Sequence, residues 1–135
     1  MARLRHNFGD SSAIEKQGKV LLLSLEDGEG FGLEDTVVDP DFVLTLAERG
    51  PFTGIILDKE VAVAHYKVTE HTLPLVVRLN RLKKGVPSVT QTLTCTVEEA
   101  LVLGARAVCY ALCLSVDEST AMIEFSHIVR DAGCS

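Results

Sequence analysis

The sequence has no tryptophan and few other aromatics, two tyrosines and five phenylalanines among 135 residues. A core must therefore come from valine, leucine, isoleucine and alanine, which pack through branched aliphatic surfaces rather than large rings. Basic residues are also scarce: 13 Lys and Arg stand against 19 Asp and Glu, a formal charge of −6. That balance argues against a nucleic-acid partner, which needs clustered cations to displace counterions. Arg78, Arg81, Lys83 and Lys84 form a small basic patch, which on its own reads as a solvated loop. Long apolar runs are missing too. Val20–Leu23, with Leu25 beyond Ser24, is far too short to span a bilayer. The basic opening residues are not followed by an apolar segment, so no secretory signal is expected.

Cysteine is present four times, at positions 95, 109, 113 and 134, but without a CxxC pair or a Cys/His ligand spacing. Reduced thiols in a cytoplasmic protein are the expectation, with no metal and no cofactor. Cys109 and Cys113 lie four apart in a strand-like run and would share a face. His65, His71 and His127 lack partner spacing and read as structural or exposed.

Residues 21–32, LLLSLEDGEGFG, pass abruptly from an apolar run to acids and glycines. Gly28, Gly30 and Gly32 suggest a phosphate loop, but no helix starts at the third glycine and no Gly-Lys-Ser/Thr follows. Glu26, Asp27 and Glu29 would repel a phosphate. Acids at the end of a strand instead suit proton transfer or a lysine partner, or they only solvate the loop.

Strands are expected over 20–25, 53–57, 75–79 and 107–114. A helix begins at the N-cap Asp39 with Pro40 at N1 and ends at Gly50. A short helix is expected over 59–67, although the alternation there also permits a strand. Residues 81–95 read as a polar excursion or small hairpin. Thr96 and Glu99 make a capping box for a helix that Gly104 stops, and a last amphipathic helix covers 119–132. The order β-α-β-α-β-α-β-α implies a parallel sheet covered by helices. Both an open doubly wound sheet and part of a (β/α)8 barrel satisfy it.

The succession LLLS-x-x-x-G, LAERGPFTGIILDK, PLVVRLN and TCTVEEALVLGARAVCYALCLS resembles the archaeal-type (DhnA-like) class I fructose-bisphosphate aldolases, from about Gly18 to Ala132. The resemblance implies half of a (β/α)8 TIM barrel over residues 18–135, after an N-terminal extension over 1–17. It implies a Schiff-base aldehyde-lyase acting on a ketose phosphate such as fructose 1,6-bisphosphate. In that family the first strand typically ends S-[YF]-D-x-G-x-E-H-G-P. Laid on this chain, Ser24, Gly28 and Gly32 match and the aspartate falls on Glu26. The glutamate, histidine and proline fall on Gly30, Phe31 and Leu33.

The family's Schiff-base lysine, its strand-5 aromatics and its phosphate loops lie beyond Ser135. Lys59 is the local candidate for the lysine, though Asp58 and Glu60 flank it and a Schiff-base amine needs the opposite surroundings. Glu26 and Asp27 are the candidate proton-transfer acids, and Arg78 and Tyr110 the candidate substrate-binding residues, although a strand-4 tyrosine more often packs with its hydroxyl bonded. Arg78 ends strand 3 and would hold a substrate oxygen or pair with Glu26. Half a barrel leaves open edges, so a homo-oligomer or a complementary half is expected as partner. Two other readings stay open: a non-catalytic aldolase paralogue acting as an assembly or regulatory partner, and an unrelated small-molecule-binding α/β domain.

Overall fold

The computed structural model describes residues 11–25, 39–84, 89–112 and 118–133. Its elements are β1 (Leu22–Ser24), α1 (Pro40–Arg49), β2 (Gly54–Asp58), α2 (Lys59–His65), β3 (Leu75–Arg78), β4 (Asn80–Lys84), β5 (Val89–Leu93), α3 (Val97–Val102), β6 (Ala107–Cys109) and α4 (Glu118–Asp131). Local chemistry sets the helix starts as the sequence predicts. Asp39 accepts from the Asp41 N–H at 3.0 Å with Pro40 in the first turn. The Thr96 hydroxyl accepts from the Glu99 N–H at 3.1 Å, the side-chain half of a capping box.

Strands β1, β2, β3 and β6 form one sheet in that order, every pair parallel. Each crossover moves one place in the same direction. A doubly wound sheet reverses its order at a switch point, whereas a barrel never does. The architecture is therefore an arc of four parallel strands alternating with helices, the barrel solution. Strands β4 and β5 form a separate antiparallel hairpin inserted after β3, where the sequence suggested an excursion.

The fourth strand is shorter than its apolar run. Backbone pairing between β3 and β6 ends at Arg78 and Cys109, followed by a bond from the Leu79 N–H to the Cys109 carbonyl at 2.9 Å. The Asn80 amide then takes over. Its Nδ2 donates to the Ala111 carbonyl and its Oδ1 accepts from the Ala111 N–H, both at 2.8 Å. A fully buried side-chain amide thus replaces a strand partner, which meets its need for bonds. Cys113 and Cys134 fall outside the described residues; Cys95 and Cys109 are free thiols.

Alternation sorts the strand residues between two faces. Leu23, Leu25, Ile55, Leu57, Leu75, Val77, Leu79 and Val108 pack with Leu44, Ala47, Ala62, Ala100 and Ile128 of the helices. By the parallel register, Leu22 and Ser24, Gly54, Ile56 and Asp58, Val76 and Arg78, and Ala107 and Cys109 share the opposite face.

Two histidines clasp α1 to the α2 region. His65 Nδ1 lies 3.2 Å from Asp41, and His71 Nδ1 lies 3.0 Å from Glu48. They therefore have carboxylate partners that are distant in sequence. No described helix is long and apolar enough to cross a membrane.

Gly104 stops α3 at φ +85°, and an added Cβ would meet Val68 Cγ2 at 2.2 Å. Both a left-handed backbone and a close approach demand glycine there. Gly104→Ala is expected to cost more than about 1 kcal/mol in urea unfolding. Adding Val68→Ala should recover the steric part of the loss and leave the backbone part.

Candidate functional site

The C-terminal ends of the parallel strands are where an α/β barrel builds its chemistry. Here the inward-facing residues at that end are polar and joined. Asp58, the last residue of β2, is 4% exposed. Its Oδ1 accepts from Arg78 Nη1 of β3 at 3.3 Å, and its Oδ2 accepts from Arg81 Nη2 of β4 at 3.3 Å. Arg78 Nη2 also donates to the Ser24 hydroxyl at the end of β1. Arg81 Nη2 reaches Glu60 at 3.0 Å, and Glu60 is largely exposed.

Ser24, Asp58, Arg78 and Arg81 thus form a connected set running over the first three strand ends and the hairpin. A guanidinium is a rigid fork that binds carboxylates and phosphates through several N–H groups. A buried carboxylate between two of them fixes both orientations. The array can hold an oxygen-rich substrate, and none of these four residues is a lysine.

Of the candidates drawn from sequence, the structure brings Arg78 into this array. Glu26 and Asp27 lie outside the described residues. Lys59 is not brought in: it opens α2 and pairs with Glu99 of α3 in the helix layer. The hydrogen bond to Glu99 leads the causes that raise the Lys59 pKa above its ordinary 10.5, with burial opposing. Glu99 is shifted down from 4.5, chiefly by the same bond to Lys59. A Schiff-base lysine needs its pKa lowered, the opposite of the direction this pairing gives Lys59. Of the flanking carboxylates Glu60 adds the smallest of the causes, and Glu99, forty positions on, dominates.

Tyr110 is also placed elsewhere. Its ring is tilted against Phe125 with centroids 5.7 Å apart, and its hydroxyl donates to Glu124 at 2.8 Å. Both partners belong to α4, so Tyr110 packs on the helix side, away from Arg78. The array at the strand ends does not include it. In-out alternation from Cys109 could have signalled it.

Sequence reading missed Asp58 and Arg81 as members of the site. Asp58 was seen only as a neighbour of Lys59, and Arg81 only as part of a solvated basic patch. The available signal was the two-residue step from Ile56 to Asp58 and from Val76 to Arg78, which puts opposite charges side by side on one face.

Comparison with known proteins places this geometry. No family model matches the chain. It is 31% identical over 141 residues to the fructose-bisphosphate aldolase class 1 of Thermoproteus tenax, covering 98% of this chain and 51% of that protein. Among solved structures, a crystal structure of an archaeal fructose 1,6-bisphosphate aldolase superposes with a TM-score of 0.74 at 28% identity, covering 90% of this chain and 50% of that one. A structure of an archaeal fructose-1,6-bisphosphate aldolase, with its catalytic lysine bound covalently to the carbinolamine intermediate of the substrate, gives 0.75 at 28% identity, with the same coverage. The chain spans about half the length of the relatives it matches.

The two shells of the array should separate by mutation. Asp58→Ala leaves two guanidiniums without their buried partner and is expected to cost about 3–5 kcal/mol in urea unfolding. Glu60→Ala, at the exposed rim, should cost no more than about 1 kcal/mol. The Lys59–Glu99 pair has its own pH signature. The lowered Glu99 contributes stability above about pH 4.5 that is lost as pH falls through its folded pKa. The raised Lys59 contributes below about pH 10.5 and loses it as pH rises through its folded pKa. Glu99→Gln should flatten both limbs of a Tm-against-pH profile.

Proposed function

Because the chain is a relative of the archaeal-type class I fructose-bisphosphate aldolases, matching the N-terminal half of their length, we propose that it carries the substrate-holding side of a Schiff-base aldolase site. The substrate class is a ketose phosphate such as fructose 1,6-bisphosphate. The observation that carries this reading is the Ser24–Arg78–Asp58–Arg81 array at the C-terminal ends of parallel strands. Arg78 holds a substrate oxygen, with Asp58 fixing its fork. Glu26, where the family motif has aspartate, takes the proton-transfer or electrostatic role beside Asp27.

The reaction needs an amine that condenses with the ketose carbonyl and releases water. The bond between the α- and β-carbons then breaks: a base removes the β-hydroxyl proton, that oxygen becomes the carbonyl of the released aldehyde, and the electron pair of the broken bond flows into the iminium to leave an enamine. Lys59, held as an ammonium by Glu99, does not supply that amine. The lysine then comes from residues outside these 135. The same pairing favours a second reading, a non-catalytic aldolase paralogue that retains the fold and works as an assembly or regulatory partner.

Borohydride trapping with dihydroxyacetone phosphate or fructose 1,6-bisphosphate separates the two. The chain alone should give no covalent mass shift at Lys59. The native protein should give one at a lysine outside these 135 residues, with Arg78→Met raising the half-saturating substrate concentration at least tenfold. No adduct in the native protein removes the enzyme reading and leaves the non-catalytic one.

A further inference from the structure

Arg81 lies between two carboxylates that share a charge and differ in burial. Its Nη2 is 3.3 Å from Asp58 Oδ2 and 3.0 Å from Glu60 Oε2. The Asp58 side chain is 5% exposed and the Glu60 side chain 77%. Asp58 is tied from both sides, because its other oxygen accepts from Arg78. Glu60 belongs to the first turn of α2 and reaches Arg81 from the rim. A buried pair stays closed, since opening it strands a charge out of water. An exposed pair contributes little and yields to a better partner. One guanidinium thus has a fixed carboxylate and a replaceable one.

The place of this arginine suits a ligand. Strands β2 and β3 each have a parallel neighbour on both sides, so the array sits within the arc and away from its margins. Arg81 is the second residue of β4, at the foot of the hairpin, and is the more exposed of the two guanidiniums. A phosphate monoester carries about −1.5 to −2 charge at neutral pH and several strong acceptor oxygens. It is therefore a stronger partner for a guanidinium fork than one exposed carboxylate is. The two anions cannot share Nη2, because like charges at that distance repel.

We propose that Arg81 binds a phosphate of the ketose phosphate and that Glu60 is the carboxylate this phosphate displaces. The inference rests on the reading of the array as the substrate-holding side of the site. Asp58 keeps both guanidiniums in place while Glu60 turns out to solvent and a phosphate oxygen takes its position on Arg81. Glu60 touches no substrate and acts through Arg81. It sets selectivity, because an anion has to outmatch a carboxylate before it gains this donor, and a sugar without phosphate gains nothing here.

Titration calorimetry of the native protein with fructose 1,6-bisphosphate tests the exchange. Glu60→Gln should tighten binding about two- to fivefold, the range of an exposed ion pair. The heat from unphosphorylated fructose should not respond to the same change. Arg81→Met should weaken bisphosphate binding about tenfold or more, and in that background Glu60→Gln should add nothing. Glu70→Gln removes an equal charge from the connection between α2 and β3, where Glu70 pairs with Lys67, and should leave binding unchanged. Glu60→Gln lies at the exposed rim, so its result stands even where Arg81→Met fails to fold. Unchanged or weaker binding in Glu60→Gln overturns the proposal. So does a gain that persists in Arg81→Met, a response of fructose, or a bisphosphate that does not bind. A borohydride adduct together with an indifferent Glu60→Gln removes this inference and leaves the aldolase reading. Tighter binding in Glu60→Gln without an adduct does the reverse.

Discussion

The buried carboxylate of Asp58 is the interaction on which the polar end of this sheet depends. A charge that is 4% exposed survives only if it is paired and hydrogen-bonded. Two guanidiniums do this from different elements, β3 and the hairpin that follows it. The pairing aligns the ends of β2 and β3, draws Arg78 across to Ser24 on β1, and seats the hairpin over the same end. Replacing the group with aliphatic residues would cost little by itself, since buried ion pairs rarely out-compete good packing. Its value lies in orienting two forks whose planes would otherwise wander.

The division of labour between the faces follows from the same two-residue period. Helix-side positions are aliphatic and form the core, and the opposite face is polar where the strands end. Lys59 shows how sharp that boundary is. It follows Asp58 directly, yet it belongs to the first turn of α2 and is drawn to Glu99 in the helix layer. One residue along the chain moves a charge from the site to the scaffold.

The order of elements and the helix caps were legible because they are local: Asp39-Pro40, Thr96 with Glu99, and Gly104 each act within a few residues. Choosing the barrel over the doubly wound sheet was not local. It required the strand order, which no periodicity encodes. The site was half legible. Arg78 could be named from its place at a strand end, but Asp58 and Arg81 become its partners only through register between strands. The shortened β6 escaped for a similar reason, since the run to Leu114 is apolar throughout and its limit is set by Asn80, far away in sequence. Tyr110 and Lys59 fall outside the array because of the face each side chain occupies, which chemical type alone does not indicate.

Asn80 has a consequence for how the chain leaves the sheet. A backbone ladder constrains every residue it touches, because each pairing imposes the pleat on its neighbours. A side-chain amide grips one peptide group and leaves the next free of that alternation. At Ala111 the chain is gripped at one peptide group by a side chain. A single amide thus marks where the ladder between β3 and β6 hands over from backbone to side chain.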